Sequence, residues 1–245
     1  MSALFSPIRF GHLECANRIV IPPMCTYSAQ AGCANDWHVM HYGNLAQSGA
    51  GLLIIEATAV EIRGRISPYD LGLWSDTQAT SFEPMLSHIR RYSSMPICIQ
   101  LAHAGRKASS LRPWEGGGAM HATHPDAWPT ISASAQGFLP TDPTPSSATL
   151  EDIAHIKQAF VDAAMRAQRL GLDAIELHAA HGYLLHQFLS PLSNLRTDCY
   201  GGNLDNRMRL TLEVFDAIQA ALPKHFPVGV RISGTDWVEG GWDVE

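Results

Sequence analysis

The sequence predicts an α/β fold in which parallel strands curl toward a TIM-type (β/α)8 barrel. Two observations carry that expectation: apolar runs of strand length alternate with segments of helical apolar period, and polar residues able to do chemistry cluster where the runs end. Right-handed crossovers then place each helix outside the sheet and gather the functional loops at one end. A chain of 245 residues, 46% hydrophobic and 16% charged, can bury a full core and reads as one domain, 1–245.

The first strand is expected at 18–24, ending in Pro22-Pro23 and delivering Met24, Cys25 and Tyr27. Residues 36–47 have helix composition and stop at Gly49-Ala50-Gly51; 52–60 is then an almost continuous apolar run, as in a strand covered on both faces, broken only by Glu56. Asp76 is read as the cap of a second helix with Phe82, Met85, Leu86 and Ile89 on its apolar face. Pro96 opens the third strand, 97–101, which delivers Gln100 and His103. Residues 105–147 are rich in Gly, Pro, Ser and Thr with no sustained period, and so long a connection is expected to be an active-site cap or to be ordered by a small hairpin. Trp114, Trp128 and Phe138 either line a pocket there or tether the loop. Thr149 to Asp152 resembles a capping box for a helix with Ile153, Ile156, Phe160, Ala163, Ala167 and Leu170 on one face, ending at Gly171. A fourth strand follows at 173–178, then a helix with Met208, Leu212, Phe215, Ile218 and Leu222 on one face, then a fifth strand at 227–232 carrying Arg231.

Composition excludes several function classes. The net charge of −6 and the absence of a long Lys/Arg cluster argue against a nucleic-acid partner. No stretch is apolar for long enough to span a bilayer, and the N-terminus lacks a secretory apolar region. The 5 cysteines are scattered without CxxC spacing, as reduced thiols in a cytoplasmic enzyme would be.

The chemistry concentrates after the fourth strand, at His178, His181 and Tyr183. Two imidazoles three residues apart can present two N–H donors to one oxygen, and a nearby phenol can protonate an adjacent carbon, which suits reduction of a polarised double bond. A His-x-x-His pair is also half of a metal site, but no Glu or Cys stands at zinc spacing and H-E-x-x-H is absent, so no metal is expected. Asn194, Arg196, Asp198, Tyr200, Gly201, Gly202, Asn206 and Arg207 spell N-x-R-x-D-x-Y-G-G-x-x-x-N-R. That string resembles the long signature of the old yellow enzyme family of flavin-dependent ene-reductases.

The resemblance covers essentially the whole chain and implies an FMN-binding barrel with a definite site. Pro22, Pro23, Met24 and Cys25 match the first-strand end that lies along the flavin; a cysteine there is typical of the thermophilic-like subgroup that includes xenobiotic reductases. Cys25 would tune the flavin, and Tyr27 would bond the substrate. Ala57 matches a second-strand position whose backbone faces the flavin, Gln100 the amide on its pyrimidine edge, and Arg231 the cation beside its N1 and C2 carbonyl. In the implied reaction NADPH, or NADH, passes hydride to FMN and thence to the β-carbon of an enone. His178 and His181 would hold the carbonyl oxygen while Tyr183 protonates the α-carbon.

The barrel needs eight strands and the chain stops after the fifth; three more units of roughly 30 residues would add about 90. The sequence therefore reads as C-terminally truncated, without the loops after strands seven and eight that hold a cofactor phosphate in such barrels. Two other readings stay open: another FMN-dependent barrel oxidoreductase of the dienoyl-CoA reductase type, and a remnant that only associates with other chains. The complete protein is expected to be a homo-oligomer acting on small-molecule enones.

Overall fold

The computed structural model describes residues 2–244. An antiparallel hairpin, β1 (Ile8–Phe10) and β2 (Leu13–Cys15), opens the chain, and its short strands gave no periodic signal in the sequence. Then come β3 (Val20–Ile21), α1 (Asp36–Leu45), β4 (Leu52–Ala59), α2 (Asp76–Tyr92) and β5 (Ile97–Ala102). The long loop holds β6 (Ile131–Ser132) and β7 (Ser146–Ser147); α3 (Leu150–Arg169), β8 (Ala174–Ala179), α4 (Leu184–Leu189), α5 (Leu204–Ala221) and β9 (Val228–Ile232) complete the order. The main sheet is parallel with strand order β3-β4-β5-β8-β9, each strand beside its predecessor in the alternating series. That is the order of five successive barrel units, as expected.

Two of its three interior strands, β4 and β5, are buried at every residue, which explains their near-continuous apolar sequence. The main core lies between the sheet and α1, α2, α3 and α5, and includes Leu53, Ile55, Phe82, Ile99, Phe160 and Leu177. A smaller cluster of Cys15, Leu52, Ile54, Cys98 and Ala174 lies under the hairpin. A cavity of about 630 Å³ opens there, lined by Phe10, Leu13, Ile54, Phe226 and Val228, at the opposite end of the strands from His178.

Several local expectations need correction. The first strand is only Val20–Ile21, because Pro22 and Pro23 have no N–H to give the ladder. Helix α1 ends at Leu45 and is capped by Asn35, whose side chain accepts from Trp37 N. Ser75, not Asp76, holds the N-cap position of α2; Asp76 is the first helical residue and pairs with Arg166 at 3.2 Å. The expected hairpin in the cap loop is a parallel two-residue ladder between β6 and β7. On α5 the buried stripe is Leu210, Val214 and Ile218, with Leu222 beyond the helix end, while Leu212 faces solvent. The helix turns this stripe toward α3 and α4, and the reading of Met208 and Leu212 followed apolar residues on a neighbouring face. The capping box Thr149–Asp152 forms as expected, with Asp152 N donating to Thr149 Oγ1 and Thr149 N to Asp152 Oδ2.

Candidate active site

His178 sits near the end of β8, in register with Arg231 of β9. Its ring is buried, and Ala180 N donates to its Nδ1 at 3.3 Å. An amide N–H can only donate, so the lone pair is on Nδ1 and the ring hydrogen on Nε2. Burial, then the nearby charges of His181, Arg231 and Lys107, lower its pKa to about 3, so the ring is neutral at ordinary pH. The His181 ring lies 5.0 Å from it at 87°, and the Tyr183 ring 4.9 Å from it at 83°. Burial, followed by His181's cationic neighbours Arg231 and Lys107, keeps its imidazole below the usual range as well.

Tyr183 is the N-cap residue of α4 and is half-buried. Burial first, then charge on Cys25, Tyr27 and Asp70, raises its phenol pKa, as expected of a group that keeps its proton until a stronger base forms beside it. Lys107 Nζ stands 4.9 Å from the Tyr183 ring centroid and 4.7 Å from that of Phe138, linking the cap loop to the site.

Across from these groups, the segment after β3 carries Cys25 and Tyr27, both half-buried, with Tyr27 in the left-handed region at φ 50°. Burial, then Asp70 and Glu56, pushes the Cys25 thiol well up. Tyr27 meets Trp114 edge-on at 5.9 Å. Pro22 and Met24 are exposed and Pro23 half-buried, forming an apolar ledge beside Cys25. Ala57 is buried in β4, and Gln100 is buried in β5, where its Nε2 donates to Glu176 Oε1 at 2.7 Å. Arg231 is half-buried and close enough to Glu176 and both site histidines for its charge to act on them. Cys25, Ala57, Gln100, His178 and Arg231 are thus brought to five adjacent strands or the residues just after them.

Three acidic residues were missed as site residues. Glu56 is fully buried; its carboxylate accepts from Thr26 N and Thr26 Oγ1 at 2.8 Å and from Tyr42 O–H at 2.9 Å, fixing the chain between Cys25 and Tyr27. A lone carboxylate in an apolar strand was the available signal. Asp70 accepts from Ile66 N, Ser67 N and Ser67 Oγ, and burial still raises its pKa to about 7. Glu176 reaches Gln100 only through strand pairing, which nothing local announces.

His103, delivered by β5, is committed elsewhere: its Nε2 bonds Glu61 at 2.7 Å and its Nδ1 accepts from Gly105 N. In the cap loop Trp128 is a tether, its Nε1 donating to Arg63 O at 3.0 Å, whereas Trp114 borders Tyr27. The long motif proves to be a set of loop fasteners. Asn194 Nδ2 donates to Phe188 O and Tyr200 O, Arg196 Nη1 to Ala133 O and Ala148 O, and Arg207 Nε to Leu189 O. A Cβ on Gly201 would meet Arg196 O at 2.3 Å, so only glycine fits.

Comparison with known proteins places the chain in a family. The model of the NADH:flavin oxidoreductase / NADH oxidase family matches residues 3–245. An NADH:flavin oxidoreductase of Gibberella zeae is 48% identical over 242 residues, covering 96% of this chain and 58% of that protein. An NADPH dehydrogenase of Clostridium acetobutylicum is 42% identical over 238 residues, covering 97% and 66%. Among solved structures, morphinone reductase superposes with a TM-score of 0.84 at 29% identity, over 99% of this chain and 65% of that one. Old Yellow Enzyme from Pichia sp. AKU4542 superposes with a TM-score of 0.85 at 31% identity, over 99% and 62%. The chain thus spans about 60% of the length of several proteins it matches, and by sequence and fold it belongs to the NADH:flavin oxidoreductase / NADH oxidase family.

Proposed function

We propose that the chain forms the hydride-transfer site of an FMN-dependent, NAD(P)H-consuming ene-reductase acting on α,β-unsaturated carbonyl compounds. The observation that carries this is the perpendicular packing of His181 and Tyr183 on His178, with the His178 hydrogen fixed on Nε2, beside Arg231 and opposite Cys25 and Tyr27. The donor set suits a flavin: Gln100 uses one amide hydrogen on Glu176 and has another, and an amide and a guanidinium match a pyrimidine edge bearing carbonyls. Pro22, Pro23, Met24, Cys25 and Ala57 would supply its apolar ledge, and Gln100 and Arg231 its polar contacts. Held by these residues, FMN would supply the hydride-transfer chemistry that links NADPH or NADH to the substrate β-carbon.

The chain's own residues would do the rest. His178 and His181 donate to the carbonyl oxygen and stabilise the enolate charge that develops there. Because burial keeps His178 neutral, it acts as a hydrogen-bond donor and not as an acid. Tyr183 gives its phenolic proton to the α-carbon, and Tyr27 helps orient the substrate. Cys25 lies along the cofactor side of the pocket as a neutral thiol. The scattered cysteines fit a cytoplasmic setting, in which the protein would act as a homo-oligomer.

The test is spectroscopic. FMN added in excess should bind weakly but measurably, perturbing flavin absorbance, and a phenol should then give a charge-transfer band. His178→Ala with His181→Ala should weaken the phenol by about tenfold or more, since each bond to a charged oxygen counts heavily. Tyr183→Phe should slow alkene reduction and spare flavin reduction. No flavin perturbation, or phenol affinity unchanged in the double variant, would refute the reading.

A further inference from the structure

His181 and Gly182 form a left-handed turn, with φ of 60° and 74°. For a residue bearing a Cβ that conformation is sterically disfavoured and persists only where the surroundings impose it. Here side chains take all four backbone polar groups of the dipeptide. His181 N donates to Ser233 Oγ at 2.9 Å, Lys107 Nζ donates to His181 O at 2.9 Å, Gly182 N donates to His186 Nδ1 at 3.2 Å, and Gln187 Nε2 donates to Gly182 O at 2.7 Å. Of these four, only the His186 bond depends on which ring nitrogen carries a hydrogen.

Gly182 N–H can only donate, so His186 must present its lone pair at Nδ1 and carry its hydrogen on Nε2. That hydrogen points to Asp236 Oδ1 at 2.8 Å. The other carboxylate oxygen, Oδ2, accepts from Ser190 Oγ at 2.6 Å and from Trp242 N at 2.7 Å. Asp236 is therefore fixed in orientation, and it fixes the tautomer of a buried imidazole that in turn holds the turn bearing His181. We propose that His186, locked by Asp236, is a positioning residue that aims the His181 imidazole at the substrate oxygen. The inference rests on the assignment of His181 made above and adds the residues that set its geometry.

The arrangement makes an unusual prediction for Asp236→Asn. Trp242 N–H still needs an acceptor, so the asparagine oxygen stays on that side and its NH2 faces His186 Nε2. His186 must then accept at Nε2, which moves its hydrogen to Nδ1, directly against Gly182 N–H. Asp236→Ala offers no such donor and leaves the native tautomer in place. A purely structural role predicts that Ala disturbs the turn more than the near-isosteric Asn; the positioning role predicts the reverse.

The experiment is imidazole 15N NMR of the 245-residue chain without flavin, for the parent, Asp236→Asn and Asp236→Ala proteins. The expected result is exchange of the His186 Nδ1 and Nε2 character in Asp236→Asn, with the largest shifts at Gly182 and His181 in that variant. With FMN present, phenol affinity should fall by about tenfold in Asp236→Asn and less in Asp236→Ala. An unswitched tautomer, or a switched one with Gly182 and His181 unmoved, overturns the proposal. Failure of FMN to bind would instead count against the ene-reductase reading, because the tautomer result needs no flavin.

Discussion

A histidine that must donate to a substrate oxygen needs a defined hydrogen on a defined nitrogen, and for His178 both come from its surroundings. Ala180 N takes Nδ1, and burial lowers the pKa from 6.5 to about 3. The lowered value has a consequence for stability. Between those two pH values the unfolded chain binds a proton that the native site refuses, so this contribution is complete above pH 6.5 and is lost progressively as pH falls toward 3. His38, lowered to about 4, acts in the same sense, whereas Asp70, raised from 3.8 to about 7, acts oppositely over its own window. Replacing His178 by Asn should therefore flatten the loss of stability between pH 6.5 and 4, measured by urea unfolding at each pH. Parallel pH profiles for the two proteins would show that the native ring titrates normally. At this scale the sequence already named His178, His181, Tyr183, Cys25 and Arg231, because their residue types and strand-end positions are local. It did not reveal Glu176 or Asp236, whose partners lie on other elements and depend on strand register or on the return of the chain, nor Asp70, whose bonds to Ile66 and Ser67 form within an irregular loop that has no period to read.

At the scale of elements, β4 shows why an acidic residue is kept in an apolar strand. Glu56 ties the end of β3 to β4 and α1 through Thr26 and Tyr42, and Tyr42 O–H accepts in return from Glu56 N at 3.0 Å. Glu56→Ala would leave Thr26 N and Tyr42 O–H without their acceptor and open a void, a loss of roughly 3 kcal/mol or more. Glu56→Gln should cost far less, about 1 kcal/mol. Its oxygen can take Thr26 N–H while the two hydroxyls rotate to accept from its NH2. Chemical denaturation of both variants checks the order; equal losses would mean that the charge, and not the hydrogen-bond geometry, holds the element. The elements with strong local codes were legible: α3 has its capping box and an apolar stripe, and β4 and β5 have near-continuous apolar runs. Hairpin β1–β2 and ladder β6–β7 were not, since strands of two or three residues have no period to read. On α5 two neighbouring faces both carry apolar residues, and only packing against α3 and α4 decides between them.

At the scale of the molecule, the five-stranded sheet is open, with β3 and β9 at its edges. The β3 edge is two residues long and followed by two prolines, which blunt it as a template for pairing. The β9 edge has no such protection. Val230 and Ile232 are 39% and 52% exposed there, and Trp237, at 90%, and Val238, at 61%, stand on the loop that follows. An unpaired strand edge beside exposed apolar side chains favours pairing with another chain, and a net charge of −6 spread over 245 residues opposes this only weakly. The chain by itself should therefore self-associate as its concentration rises, seen by light scattering coupled to gel filtration. Val230→Lys places a charge on the exposed edge without touching the buried face of β4 or β5, and it should shift the distribution toward monomer. The same substitution should leave the circular dichroism spectrum and the His186 imidazole signals in place, because neither depends on the Val230 side chain. A Val230→Lys protein that associates as strongly as the parent would exclude this edge as the contact and direct attention to the cavity under hairpin β1–β2, whose apolar lining is the other open face of the sheet.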